Sequence, residues 1–186
     1  MKLNNVIKPN SIGWLDYKLS EKEMDYIWRC IGNKNQNTQC IGDSYDLMDR
    51  GDWFFTNCLR PVIDTYSNEF TNLGAGVGIP PIHPYKLTSW WVSYQKKNEF
   101  FSYHHHSGIY SFVIWMQIPT SYAEQKKLPI CAESNATGTI SNFGFHYTNS
   151  VGRVSQFMYN MEKEAEGYMV MFPSTCLLYT SPSPRD

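Results

Sequence analysis

Long apolar segments, an excess of positive charge and closely spaced cysteines are all missing from this sequence. No stretch approaches the roughly 18 apolar residues of a membrane-spanning helix, and the first ten residues, MKLNNVIKPN, lack the apolar core of a secretion signal. The formal net charge is -1, so the chain has no basic field of the kind that phosphate backbones require. These absences predict a cytoplasmic protein that makes no membrane contact and does not favour nucleic acid as a partner.

The cysteines do not form a pattern that stabilises small secreted domains or binds zinc. They are odd in number and no two have the spacing C-x-x-C, which argues against a disulfide framework and a zinc knuckle. They are Cys30, Cys40, Cys58, Cys131 and Cys176. Reduced thiols are the simplest interpretation, and a chain of 186 residues can build one domain without disulfides.

Two helices are predicted in the first part of the chain. Ser20 and Glu23 have the spacing of a capping box, and apolar residues at helical intervals follow, so a helix is expected from about Glu21 to Ile31. A second helix begins near Asp52, and Pro61 should kink it or divide it. Its apolar row consists of Phe54, Cys58, Val62, Tyr66 and Phe70.

Beyond Lys86 the pattern changes to short segments typical of β-strands. The predicted strands are Leu87–Gln95, Phe100–His104, Tyr110–Ile118, Ile140–Thr148, Arg153–Asn160 and Tyr168–Phe172. Tyr110–Ile118 is nearly all apolar, which predicts a strand buried on both faces. A helical part over about 1–73 followed by a β part over about 85–175 indicates an α+β domain built around a sandwich or barrel.

Three consecutive histidines, His104, His105 and His106, stand between two of the predicted strands. In an extended chain His104 and His106 share one face and His105 lies on the other. Neutral imidazole is the commonest metal ligand, so the pair is a candidate metal site. Solvated imidazoles at a turn remain the alternative that spacing alone leaves open.

The order of motifs around these histidines resembles a known family. From Trp90 to Thr175 the chain contains W-V-x-Y, then H-x-H-S-G-x-Y-S-F-V-I-W-x-x-I-P, then G-x-x-V-x-F-P-S. This order resembles a phage and bacterial group of iron(II) and 2-oxoglutarate-dependent oxygenases that are similar to prolyl hydroxylases. The resemblance implies a double-stranded β-helix, a jelly-roll or cupin-like barrel, buttressed by the N-terminal helices.

The same resemblance implies a cofactor, a cosubstrate and the residues that hold them. His104 and His106 would bind Fe(II), and Tyr94, ten residues before His104, would hydrogen-bond 2-oxoglutarate. The family has a distal histidine in a block F-P-S-x-L-x-H, and that position is Leu178 here. His106 also stands where a carboxylate is usual, so an all-histidine or otherwise unusual iron site is expected.

The end of the chain is expected to be foreign to the domain. Residues 176–186, CLLYTSPSPRD, resemble a translated transposase sequencing adapter and are expected to be a non-native stub. A single domain over 1–175, incomplete at its C-terminus, follows from this interpretation. The distal histidine and the arginine that binds the cosubstrate carboxylate would then be missing, and we expect the chain as it stands to be inactive.

Two other functions remain open at this point. A cupin-like metalloprotein also uses H-x-H on a barrel, but it needs a glutamate with three or four residues between it and the second histidine, and those two positions are Tyr110 and Ser111 here. A non-catalytic viral structural or binding module would keep the barrel alone. The sequence leaves the substrate open among a protein side chain, a nucleotide and a small metabolite, and it leaves the oligomeric state open too.

Overall fold

The structure, a computed structural model, describes residues 13–36, 43–70, 73–76, 78–79, 84–96, 99, 101–127 and 140–180. Its strands are β1 Leu15–Lys18, β2 Asn35–Gln36, β3 Asp43–Asp46, β4 Trp91–Tyr94, β5 Tyr110–Ile114, β6 Asn142–Thr148, β7 Val154–Asn160, β8 Tyr168–Pro173 and β9 Leu177–Thr180. Its α-helices are α1 Glu21–Gly32, α2 Arg60–Glu69, α3 Leu73–Gly76 and α4 Tyr122–Gln125. The predicted α+β class is confirmed.

Among the residues that the structure describes, all strand pairs are antiparallel and form three sheets of three strands. The sheets have the strand orders β1-β8-β5, β2-β3-β4 and β7-β6-β9. Within the described ranges these sheets do not close into a barrel, so the jelly roll itself stays a prediction. In the same ranges, no helix has the length and apolar character needed to cross a membrane.

Helix α1 begins at the predicted capping box. The Ser20 hydroxyl accepts a hydrogen bond from the Glu23 backbone N–H at 3.4 Å, and the Glu23 carboxylate accepts one from the Ser20 N–H at 2.7 Å. Both contacts satisfy backbone donors that a helix N-terminus otherwise leaves unpaired. The predicted helix is therefore confirmed, with one further residue at its end.

The Glu23 carboxylate is buried, with 6% of the residue exposed, and both of its oxygen atoms accept hydrogen bonds. Burial alone would raise the pKa of Glu23, but hydrogen bonds from Ser20 and Tyr17 outweigh it and hold this pKa below its usual value. Because the folded pKa lies below the unfolded one, the stabilisation is complete above the unfolded pKa. It is lost as the pH falls through the folded pKa.

Glu23→Gln is therefore expected to flatten the acid limb of the stability profile. Urea unfolding at a series of values between about pH 6 and pH 3 should show a smaller loss of unfolding free energy than in the unaltered chain. Glu21→Gln, which changes an exposed carboxylate in the same turn, is the matched control. Equal slopes for Glu23→Gln and the unaltered chain would contradict this assignment.

Pro61 divides the second helical segment, as predicted. The turn before it widens into a π-helix over Phe55–Leu59, where the Arg60 N–H bonds the Phe55 carbonyl, and α2 then starts with Pro61 in its first turn. A proline is tolerated there because the first turn needs no N–H from it. Of the predicted apolar row, Phe70 is 37% exposed and the other four residues are buried.

In the described residues of the first half, three strands occur that the sequence pattern did not reveal. Strand β1 pairs with β8, and the short strands β2 and β3 join β4. The letters of β3 are Asp-Ser-Tyr-Asp, and four mostly polar residues give too short an alternation to identify a strand. The part predicted as helical therefore also supplies strands to two sheets.

The second half of the chain brings two sheets around one apolar core. The predicted hairpin is confirmed as β6 and β7, and Phe145 of β6 packs on Phe172 of β8 with ring centroids 5.2 Å apart. Strand β5 ends at Ile114 and is only partly buried, so the prediction of a longer strand buried on both faces was wrong. Strand β8 was expected to be the last, but β9 follows it and pairs with β6.

Candidate functional site

The segment that contains His104, His105 and His106 is hydrogen-bonded through its backbone to the residues that follow β8. Instead of the predicted strand Phe100–His104, the structure has a single bridge at His104, and Phe100 lies outside the described residues. The His104 N–H bonds the Leu178 carbonyl at 3.3 Å, and the Leu178 N–H bonds the His104 carbonyl at 3.0 Å. The His106 N–H bonds the Ser174 carbonyl at 2.9 Å. These bonds fix the backbone of both candidate ligands.

The side chains of His104 and His106 lie together, and that of His105 does not join them. The rings of His104 and His106 have their centroids 5.3 Å apart, and both residues are half-buried. His105 is exposed, and its Nδ1 donates to the His106 carbonyl at 3.3 Å. This is the alternation expected of an extended segment.

The tautomer of His104 follows from its hydrogen bond. Its Nδ1 lies 2.7 Å from the Ser102 carbonyl oxygen. Because a carbonyl only accepts, Nδ1 carries the proton, and the lone pair of the neutral ring is on Nε2. A metal-binding histidine commonly donates its other N–H to a carbonyl or carboxylate in this way.

The surroundings of His106 favour its neutral form. Burial lowers the pKa of His106, and the neighbouring imidazoles of His104 and His105 lower it further. Its ring contacts Trp91 edge-on at 5.9 Å and Phe172 at 6.1 Å, measured between centroids. A neutral imidazole is the form that binds a cation, so this environment keeps the nitrogen lone pair available at lower pH.

The residue directly opposite His104 is apolar. In an antiparallel pair that exchanges two hydrogen bonds, the two side chains lie on the same face of the sheet. Leu178 occupies that place, is 1% exposed, and belongs to the core around Phe145 and Phe172. Among the described residues, no three His, Cys, Asp or Glu side chains come close enough together to hold a metal ion. The donor set is two imidazoles, one fewer than a facial triad needs.

Aromatic rings surround the histidine pair, and the sequence pattern did not identify them as part of a site. The Phe101 ring lies 5.9 Å from that of His104, and Trp91 lies beside His106. The sequence pattern predicted only that Trp91 lies in a strand. Its contact with His106 joins two separate segments of the chain, and a local pattern does not contain such a contact. The one available signal was its position next to Val92 in the motif W-V-x-Y.

Tyr94 lies on β4, and among the described residues its ring contacts are with Tyr45 and Lys34 rather than with the histidines. Strand alternation places it on the face opposite Trp91. It is 41% exposed, and its ring lies 5.9 Å from that of Tyr45 and 5.4 Å from the ammonium of Lys34. Its role toward 2-oxoglutarate stays a prediction.

Comparison of the chain with models of protein families, with curated proteins and with solved structures found no match.

Proposed function

We propose that this chain carries the two-histidine part of an iron(II) centre of the 2-oxoglutarate-dependent dioxygenase type. The observation that supports this most directly is the pair of half-buried imidazoles, His104 and His106, with centroids 5.3 Å apart. The proton of His104 lies on Nδ1, which directs Nε2 toward a ligand role. The choice of the 2-oxoglutarate-dependent family rests on the resemblance of the surrounding sequence motifs.

The pairing at residue 178 supports the same proposal. The family motif puts its distal histidine at this position, and residue 178 is bridged to His104 by two backbone hydrogen bonds. A histidine there would project from the same face as His104. The two sheets that share the core around Phe145 and Phe172 are compatible with the two faces of a double-stranded β-helix.

The residues present meet the requirement for iron in part. Two imidazoles suit Fe(II), and a bound iron with 2-oxoglutarate would supply oxidising chemistry that side chains lack. The buried Phe172 ring lies against that of His106 on one side of the pair. With leucine at position 178 the third ligand is missing, and we propose that the chain as it stands is inactive.

An anaerobic absorption experiment tests the proposed centre. The Leu178→His variant, supplied with Fe(II) and 2-oxoglutarate, is expected to develop a visible charge-transfer band that requires both components. Adding His104→Ala should abolish the band, whereas adding His105→Ala should preserve it because His105 is exposed and directed away. Equal bands in the His104→Ala and His105→Ala backgrounds would rule out the assigned ligands.

A non-catalytic binding module is the second candidate, and the buried Leu178 favours it for the chain as it stands. A buried leucine where the third ligand belongs fills the space with an apolar side chain. If Leu178→His folds but shows no band and no affinity for divalent cations, the histidines do not form a metal site and the binding module becomes the better assignment.

A further inference from the structure

Two tyrosine rings form a corner on the sheet that contains β3 and β4. Tyr45 and Tyr94 have ring centroids 5.9 Å apart and ring planes inclined at 82°. Asp43 pairs with Tyr94, and Tyr45 pairs with Val92, so Asp43, Tyr45 and Tyr94 lie on one face of this sheet. Perpendicular aromatic walls beside a carboxylate are the elements of a cation-binding site.

A cation already lies in this corner. The ammonium nitrogen of Lys34 is 5.2 Å from the ring centroid of Tyr45 and 5.4 Å from that of Tyr94. Both distances are within the roughly 6 Å over which a ring face attracts a cation. Lys34 reaches the corner from the chain between α1 and β2, directly before Asn35. One ammonium therefore satisfies two aromatic faces at once.

Asp43 adds a negative charge at the edge of the corner. Its carboxylate accepts a hydrogen bond from the Tyr45 hydroxyl at 2.7 Å and lies 3.6 Å from the ammonium of Lys96. The Tyr45 hydrogen bond lowers the pKa of Asp43; slight burial opposes it, and the charges of Lys96 and Lys34 add to the lowering. In the part of the chain that the structure describes, no carboxylate forms an ion pair with Lys34. Ring faces rather than a salt bridge hold Lys34 in place.

We propose that Tyr45, Tyr94 and Asp43 form a binding site for a primary alkylammonium group, the lysine side chain of a partner protein, and that Lys34 occupies this site as an internal ligand. The proposed ligand has the chemistry of the group that fills the corner now. A partner lysine would have to displace Lys34, which makes Lys34 an internal competitor. The site contains neither histidine and needs no metal, and it shares only Tyr94 with the predicted 2-oxoglutarate contact, so a test without iron and 2-oxoglutarate is independent of the iron centre.

The probe is n-butylammonium, which has the four-carbon chain and ammonium of lysine, and neutral n-butanol is its control. Binding is followed through the tyrosine ring signals of the folded chain by NMR at constant ionic strength. Lys34→Ala vacates the corner, whereas Lys34→Met keeps most of the side-chain stem without the charge. Lys34→Ala is expected to bind n-butylammonium about tenfold more tightly than the unaltered chain, since the probe then gains both ring contacts without competition. Lys34→Met should bind less tightly than Lys34→Ala.

The second ring provides the decisive comparison. Adding Tyr94→Leu to Lys34→Ala should remove the gain in affinity, while adding Trp28→Leu, which alters an exposed ring on α1, should preserve it. The proposal is overturned if n-butanol shifts the Tyr45 and Tyr94 signals as strongly as n-butylammonium does. It is also overturned if folded Lys34→Ala binds no more tightly than the unaltered chain. Lys34→Gln repeats the comparison if Lys34→Ala does not fold, with the same outcomes.

Discussion

The Leu178→His variant is expected to bind Co(II) much more tightly than the unaltered chain. His104 and residue 178 exchange two backbone hydrogen bonds, so a third imidazole would lie on the same face as the existing pair. The substitution adds a side chain that would bind the metal directly, whereas an outer-shell residue acts only through a ligand. The gain should therefore exceed the roughly 10- to 100-fold that loss of an outer-shell partner costs.

The substitution also has a cost in the absence of metal. Leu178 is 1% exposed and packs in the core with Phe145 and Phe172. Removing a buried leucine costs about 2–5 kcal/mol, and a polar ring in its place leaves nitrogen atoms without water. The metal-free variant should thus unfold at a lower temperature than the unaltered chain. Saturating metal should recover about 2.7 kcal/mol once its concentration is 100 times the Kd.

Two measurements check this prediction together. Visible absorption titration with Co(II) gives the affinity and the ligand geometry, and thermal unfolding with and without Co(II) gives the coupling to stability. Leu178→Met, which keeps the volume of the side chain, is the matched control and should gain no affinity. Leu178→His combined with His104→Ala should lose the gain. Tight binding that persists in this double variant would place the metal elsewhere.

Local patterns along the chain were sufficient for some elements of this fold. The capping box of Ser20 and Glu23 predicted α1, because each contact in it joins residues three apart. Pro61 predicted the interruption before α2, because a proline lacks the backbone N–H and therefore disturbs the helical hydrogen bonds next to it. The alternation of His104, His105 and His106 depends only on an extended backbone, and their exposures agree with it.

Other features depend on contacts between distant residues, which local patterns do not contain. The bridge from His104 to Leu178 joins positions 74 residues apart, and it makes a leucine at the end of the chain part of the candidate site. Tyr94 was assigned to 2-oxoglutarate by its spacing from His104. That role stays a prediction; in the structure its ring lies against Tyr45 and Lys34, because β3 pairs with β4 across a long connection. Sequence spacing gives a strand and a face, but the neighbouring strand decides what that face meets.

Strand β9 has a second consequence, which concerns stability rather than metal binding. A chain that ends after Cys176 lacks Leu177–Thr180, and β6 then loses the partner on one side. The Leu178 side chain leaves the core, which by itself costs on the order of 2–5 kcal/mol. We expect urea unfolding to show at least this loss of unfolding free energy.

The shortened chain is also expected to associate with itself. Without β9, the backbone N–H and C=O groups of β6 on that side become an open sheet edge, and such an edge pairs readily with another strand. Light scattering and size-exclusion chromatography across a concentration series should detect dimers or larger species. A chain ended after Thr180 retains β9 and is the control. If both chains unfold at the same urea concentration and remain monomeric, β9 contributes nothing to the fold, and the placement of Leu178 beside His104 loses its support.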